Sequence, residues 1–153
     1  MSDLRVVRLV QRARLLLADG TAMGANLFVA PDSPRGAGPQ TVPELMTEAG
    51  AVLPVRLEDG RFVLVGTAQV AGVMLPEGPP TETEIGAPVA VRVELAGGHR
   101  VSGRVRVQEG LRVADFLRRP GPWVRVDTPE GVVWVHKGHL RSVEPLDTAP
   151  SLS

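Results

Sequence analysis

The chain has 153 residues, no cysteine, and seventeen basic against seventeen acidic side chains. That length allows one ordinary domain or two small ones, and the missing thiol excludes disulfides and Cys-based metal or redox chemistry. Zero formal net charge excludes the strongly basic footprint of a dedicated nucleic-acid binder, whose domain pI exceeds ~9.

The hydrophobic fraction of 43% is carried by Val, Leu and Ala, with three Phe, two Trp and no Tyr, a composition that suits packed strands. Charge is unevenly spread. Residues 1–87 hold seven Arg against ten acidic residues, and residues 88–153 hold ten Lys plus Arg against seven, so the halves carry −3 and +3. Such a dipolar chain can dock head to tail with a copy of itself or offer a mildly basic face to an acidic partner. Asp3, Arg5 and Arg8 interrupt the apolar run that a signal peptide needs. No stretch reaches the ~18 apolar residues of a membrane span. The expectation is a soluble cytoplasmic protein with no membrane partner.

Val6 to Leu17 reads as a strand ending at Asp19-Gly20, a two-residue hairpin signal, and Ala25 to Ala30 as its return. Residues 31–40, PDSPRGAGPQ, should be an exposed, mobile loop. Thr41-Val-Pro-Glu44 is a capping box with Pro in the first turn, predicting a short helix to about Ala49 that Gly50 ends. Val52 to Leu57, Phe62 to Val65 and Gln69 to Leu75 are three further strands, the first two joined by the Glu58-Asp59-Gly60 turn. Residues 76–88, with four Pro, read as a linker. Val91 to Leu95 and Val101 to Val107 alternate around the Gly97-Gly98 turn, predicting a hairpin with one buried face. Leu111 to Arg118 takes the place of the short helix. Trp123 to Val126, Val132 to Val135 and Leu140 to Val143 complete the set.

The second half thus repeats the first. FVLVGTAQVAGV, residues 62–73, lies over VVWVHKGHLRSV, residues 132–143, without a gap. The predicted fold is mainly β: a tandem pair of small five-stranded, partly open barrels of the SH3 or Sm type, each with one short helix. Closure would remove exposed edges in units too small to bury them otherwise. The predicted division is an N-terminal barrel over 1–75, a Pro-rich linker over 76–88, a C-terminal barrel over 89–146 and a tail over 147–153.

VELAGGHRVSGRVRV followed by WVHKGHLRSVEP resembles the two signature regions of Sm-like barrels, the group that includes bacterial Hfq. Gly98 and Gly103 stand in the first region, and Lys137, Gly138, Leu140 and Val143 in the second. Most of residues 89–145 also resembles a family of small bacterial domains of unknown function. Arg112-Val-Ala-Asp115-Phe-Leu117, Trp123-Val-Arg-Val126 and Lys137-Gly-His139-Leu140 fill its pattern. The first half has Thr67-Ala-Gln69-Val70 where that pattern has Lys-Gly-His-Leu. The resemblance implies a fold and no activity.

Little in the sequence carries chemistry. His136 and His139 would bind a metal only if they converged, and no nearby third His or Cys completes a site; the remaining histidine, His99, belongs to another hairpin. Ser102 stands in an alternating strand, outside any Gly-x-Ser-x-Gly elbow. Arg35-Gly36-Ala37-Gly38 lacks the Lys-Ser/Thr ending of a phosphate loop. No enzyme, catalytic residue, metal or cofactor is expected. Arg112, Arg118 and Arg119, with Arg104, Arg106, Arg125, Lys137 and Arg141 on adjoining strands, form the main basic cluster; Trp123 or Trp134 would add a stacking surface if exposed. A solvated sheet face would carry the same arginines, and both Trp lie in apolar strands that favour burial. The candidate binding surface is Arg112, Arg118, Arg119, Trp123, Lys137 and His139. The leading expectation is a non-catalytic assembly or protein-interaction module that meets a protein partner or itself. An Sm-like RNA-binding module using Arg118, Arg119, Lys137 and His139 is the alternative, and no DNA partner is expected.

Overall fold

A computed structural model describes residues 8–33, 38–76, 86–108 and 110–146. Ten antiparallel strands and two short helices account for most of them. In the first half these are β1 (Leu9–Leu17), β2 (Ala22–Val29), α1 (Val42–Ala49), β3 (Val52–Leu57), β4 (Phe62–Gly66) and β5 (Val70–Leu75). The second half supplies β6 (Ala87–Leu95), β7 (Arg100–Val107), α2 (Val113–Leu117), β8 (Trp123–Thr128), β9 (Gly131–His136) and β10 (Leu140–Pro145). A single 3-10 turn precedes β5 (Thr67–Gln69) and another precedes β10 (Lys137–His139). Strand β6 begins inside the segment read as linker, at Ala87. Residues 77–85 of that linker lie outside the described residues, as do most of the Arg35–Gly38 loop and the tail.

The helix signal at Thr41 acts as its chemistry predicts. The Thr41 hydroxyl accepts from Glu44 N at 3.4 Å, and the Glu44 carboxylate accepts from Thr41 N at 2.8 Å, satisfying two otherwise orphaned amides. Val42, Leu45 and Met46 are the buried face of α1.

All ten strands belong to one sheet, in the order β10-β6-β7-β8-β9-β5-β1-β2-β3-β4. The expectation of a pair of small, partly open barrels is therefore corrected to one continuous sheet. Among the described residues, β10 and β4 each have a single strand neighbour, so the sheet stays open, and β5 pairs with both β1 and β9. Within this order each half places its last strand first and then takes its other four in sequence.

Two hydrophobic cores lie along the sheet. Leu15, Leu27, Leu53 and Val55 form the first with α1, and Val91, Val93, Leu95, Val126, Val133 and Val135 form the second. The strand between them serves both. Val70, Val73 and Leu75 of β5 enter the first core, whereas Ala71 enters the second, with Met74 packed against it. The register shifts where Leu16 faces Gly72 and Leu17 faces Val70, so Ala71 is an extra residue in β5 that brings Val70 into phase with Val73 and Leu75, and the two cores cover opposite faces of the strand. Gly131 permits the join with β9: a Cβ there would stand 2.1 Å from the Leu75 carbonyl oxygen, on a backbone with φ 145°. His99, in the β6–β7 turn, adds a second tie by donating from Nε2 to the Leu17 carbonyl at 2.8 Å.

Candidate functional site

A groove of about 520 Å³ opens where β7 and β8 part. Their pairing is limited to Arg104 opposite Asp127. Gly103 lets the strands meet there, since a Cβ would lie 2.4 Å from the Asp127 carbonyl oxygen. Beyond that point β7 parts from β8 but stays paired with β6 as far as Val107, and the chain then forms α2 and rejoins the sheet at Trp123. Alternation decides what faces the groove. Val105, Val124, Val126, Val133 and Val135 fill the second core, so Arg106, Trp123, Arg125 and Trp134 project from the opposite face. Phe116 and Arg119 close the α2 side, and Lys137 enters from the turn after β9. Both tryptophans are half-buried, with part of each packed against the first core.

The cations of the groove are held by backbone and aromatic groups more than by acids. The Arg119 guanidinium lies 5.2 Å from the Phe116 ring centroid, a cation–π distance. Lys137 Nζ donates to the Arg119 carbonyl. Arg106 donates to the Gly86 carbonyl at 3.1 Å. Arg125 is ion-paired with Asp127 at 3.1 Å.

Of the six residues expected to form a binding surface, the structure brings Arg119, Trp123 and Lys137 to this groove. Arg112 and Arg118 lie outside its lining, each 3.8 Å from Asp115. His139 also lies outside the lining, and its Nε2 donates to the Ala68 carbonyl at 2.8 Å, joining the two 3-10 turns. Arg106, Arg125 and Trp134 belonged to the wider cluster legible in the alternating strands. Phe116 was missed, because its place in a five-residue helix gave no sign of which way the ring would turn.

His136 and His139 do approach, with ring centroids 5.6 Å apart. Their nitrogens are engaged locally: His136 Nδ1 accepts from Gly138 N at 3.0 Å, and its ring meets Trp123 edge-on at 4.9 Å. Burial, and then the neighbouring His139, hold the His136 pKa below its ordinary value of 6.5. Among the described residues no group of three His, Cys, Asp or Glu is placed to hold a metal ion. No helix among them is long and apolar enough to cross a membrane. Comparison with protein-family models, curated proteins and solved structures returns no match.

Proposed function

We propose that this chain is a non-catalytic assembly module that joins copies of itself edge to edge, with β10 of one copy pairing antiparallel with β4 of the next. On this reading the halves are tandem copies of one small SH3/Sm-like unit. The observation that carries it is the β5–β9 join. There the last strand of one half pairs with the fourth strand of the other, and the strands left with an open side, β10 and β4, are again a last and a fourth strand. The join places Gly72 opposite Val135 and Val73 opposite Trp134. The overlay of residues 62–73 on 132–143 carries that register to Ser142 opposite Val65 and Val143 opposite Leu64 in a neighbouring copy.

Surface chemistry supports the same contact. Phe62 and Leu64 on β4 are 56% and 61% exposed, and Val52 on the neighbouring strand adds to the patch. An open strand edge lined by apolar side chains invites pairing. Val143 packs partly against the second core, as Val73 does in the first, so Leu64 would meet an apolar neighbour. The charges of −3 and +3 on the two halves favour head-to-tail approach. Unlike edges make the contact heterologous, which generates a ring when the rotation closes and a filament when it does not. An RNA-binding module built on Arg118, Arg119, Lys137 and His139 has less support, since Arg118 faces Asp115 and His139 is tied to Ala68.

Light scattering after size exclusion, over a range of protein concentrations, tests the proposal. The wild type should form oligomers that dissociate on dilution, while Leu64→Lys and Val143→Lys should each be monomeric. Mixing the two variants should restore a 1:1 dimer, because each retains one good edge. A wild type that is monomeric at every concentration, or variants that associate as it does, would overturn the reading.

A further inference from the structure

The groove between β7 and β8 offers a second, independent function. Its lining includes four cations, Arg106, Arg119, Arg125 and Lys137, and no carboxylate. Only Arg125 has an acidic partner among the described residues. Elsewhere Arg8, Arg61, Arg92 and Arg100 each meet a carboxylate, as do Arg112 and Arg118 just outside the groove. Arg106, Arg119 and Lys137, gathered in a concave site whose lining has no acid, repel one another, and a polyanion bound among them relieves that repulsion. Arginine forks and a lysine ammonium are the side chains that match phosphate oxygens. The remaining wall is aromatic: Trp123, Trp134 and Phe116 present flat apolar surface beside the charges.

We propose that this groove binds a nucleoside polyphosphate, with the phosphates among Arg106, Arg119 and Lys137 and the base against the tryptophans. Size and charge layout select this ligand over a nucleic-acid strand. About 520 Å³ lies in the range of small-molecule sites, roughly 300–1,000 Å³. A strand needs a cationic track that continues past the pocket. On the α2 side that track stops, because Asp115 faces both Arg112 and Arg118. Base–aromatic stacking would add to the phosphate contacts without demanding a particular base.

The chain reports on this site by itself. Its only two tryptophans, Trp123 and Trp134, line the groove, and it has no tyrosine. Indole fluorescence, excited at the red edge to avoid nucleotide absorption, is titrated with ATP, GTP, inorganic tripolyphosphate and hexauridylate at low salt. ATP and GTP should quench saturably with similar affinity, and tripolyphosphate should bind at least tenfold more weakly. Arg119→Glu, at an exposed position, should weaken ATP binding at least tenfold with an unchanged melting temperature. Arg112→Glu, outside the lining, should change it less than twofold. Absence of saturable quenching by ATP overturns the proposal. So does tripolyphosphate binding as tightly as ATP, which would leave the aromatic wall without a part. Hexauridylate binding tenfold tighter than ATP overturns it in favour of a single-stranded nucleic acid.

Discussion

Strands β5 and β10 close their halves in the same way, yet one is the most buried strand of the molecule and the other one of the most exposed. VAGVML is buried at every position but Met74. LRSVEP is exposed at four positions and half-buried at two. The difference lies in neighbours. β5 has strands on both sides and a core on each face, so its small and branched apolar residues pack in both directions. β10 has β6 on one side only and carries Arg141, Ser142, Glu144 and Pro145, the residue types that protect an edge from indiscriminate pairing. Position in the sheet has shaped the composition of two strands with equivalent roles.

The largest expected effect breaks that comparison at Gly131. Gly131→Ala drives a methyl group into the Leu75 carbonyl on a positive-φ backbone and should cost about 3 kcal/mol or more. Arg61, the residue that overlays Gly131, stands just before the open strand β4 and pairs with the exposed Asp59. Arg61→Ala should cost under about 1 kcal/mol. Urea unfolding of both variants measures the contrast, and equal losses would show that the join adds no constraint of its own. A smaller effect separates Val73→Ala from Val143→Ala. The first empties a fully buried site and should cost about 2 kcal/mol, the second under about 1 kcal/mol at low protein concentration.

The smallest effect is in the pH profile. Because the folded state holds the His136 pKa below 6.5, the unfolded chain takes up that proton first, so stability is full above this value and declines as pH falls through it. His136→Asn should flatten that step in melting temperature. Glu48 titrates in a separate, lower window. Hydrogen bonds from Arg8, and then Gln40, hold its pKa below 4.5, so its contribution is present above that value and lost as pH falls through the folded-state pKa. Glu48→Gln should shrink the lower step, to which Asp19 and Asp59 also contribute, and leave the upper one, and any change in the upper step would show that His136 is not its source.

Most of this architecture was legible in the sequence because its signals are local. The capping box at Thr41 and the hairpin glycines at positions 20 and 97 fixed elements to within a few residues. Alternation in VELAGGHRVSGRVRV sorted buried valines from outward arginines. The joining of the halves was not legible, because pairing of β5 with β9 depends on contacts some sixty residues apart in sequence. The site was legible in part for a related reason. The sequence placed Arg106 and Arg125 on adjoining strands and left Trp123 as a stacking surface only if exposed, and the parting of β7 from β8 that opens the groove leaves no local mark. The removal of Arg118 by Asp115 was readable in hindsight from their i,i+3 spacing on a short helix.

A core on each face of β5 also has a consequence for how the molecule comes apart. Opening this strand exposes Val70, Val73 and Leu75 to water together with Ala71 and Met74, so neither core can melt while the other stays sealed. The amides of β5 should therefore be the slowest in the chain to exchange with solvent, released only by global unfolding. Two cores bound to one strand make a single cooperative unit.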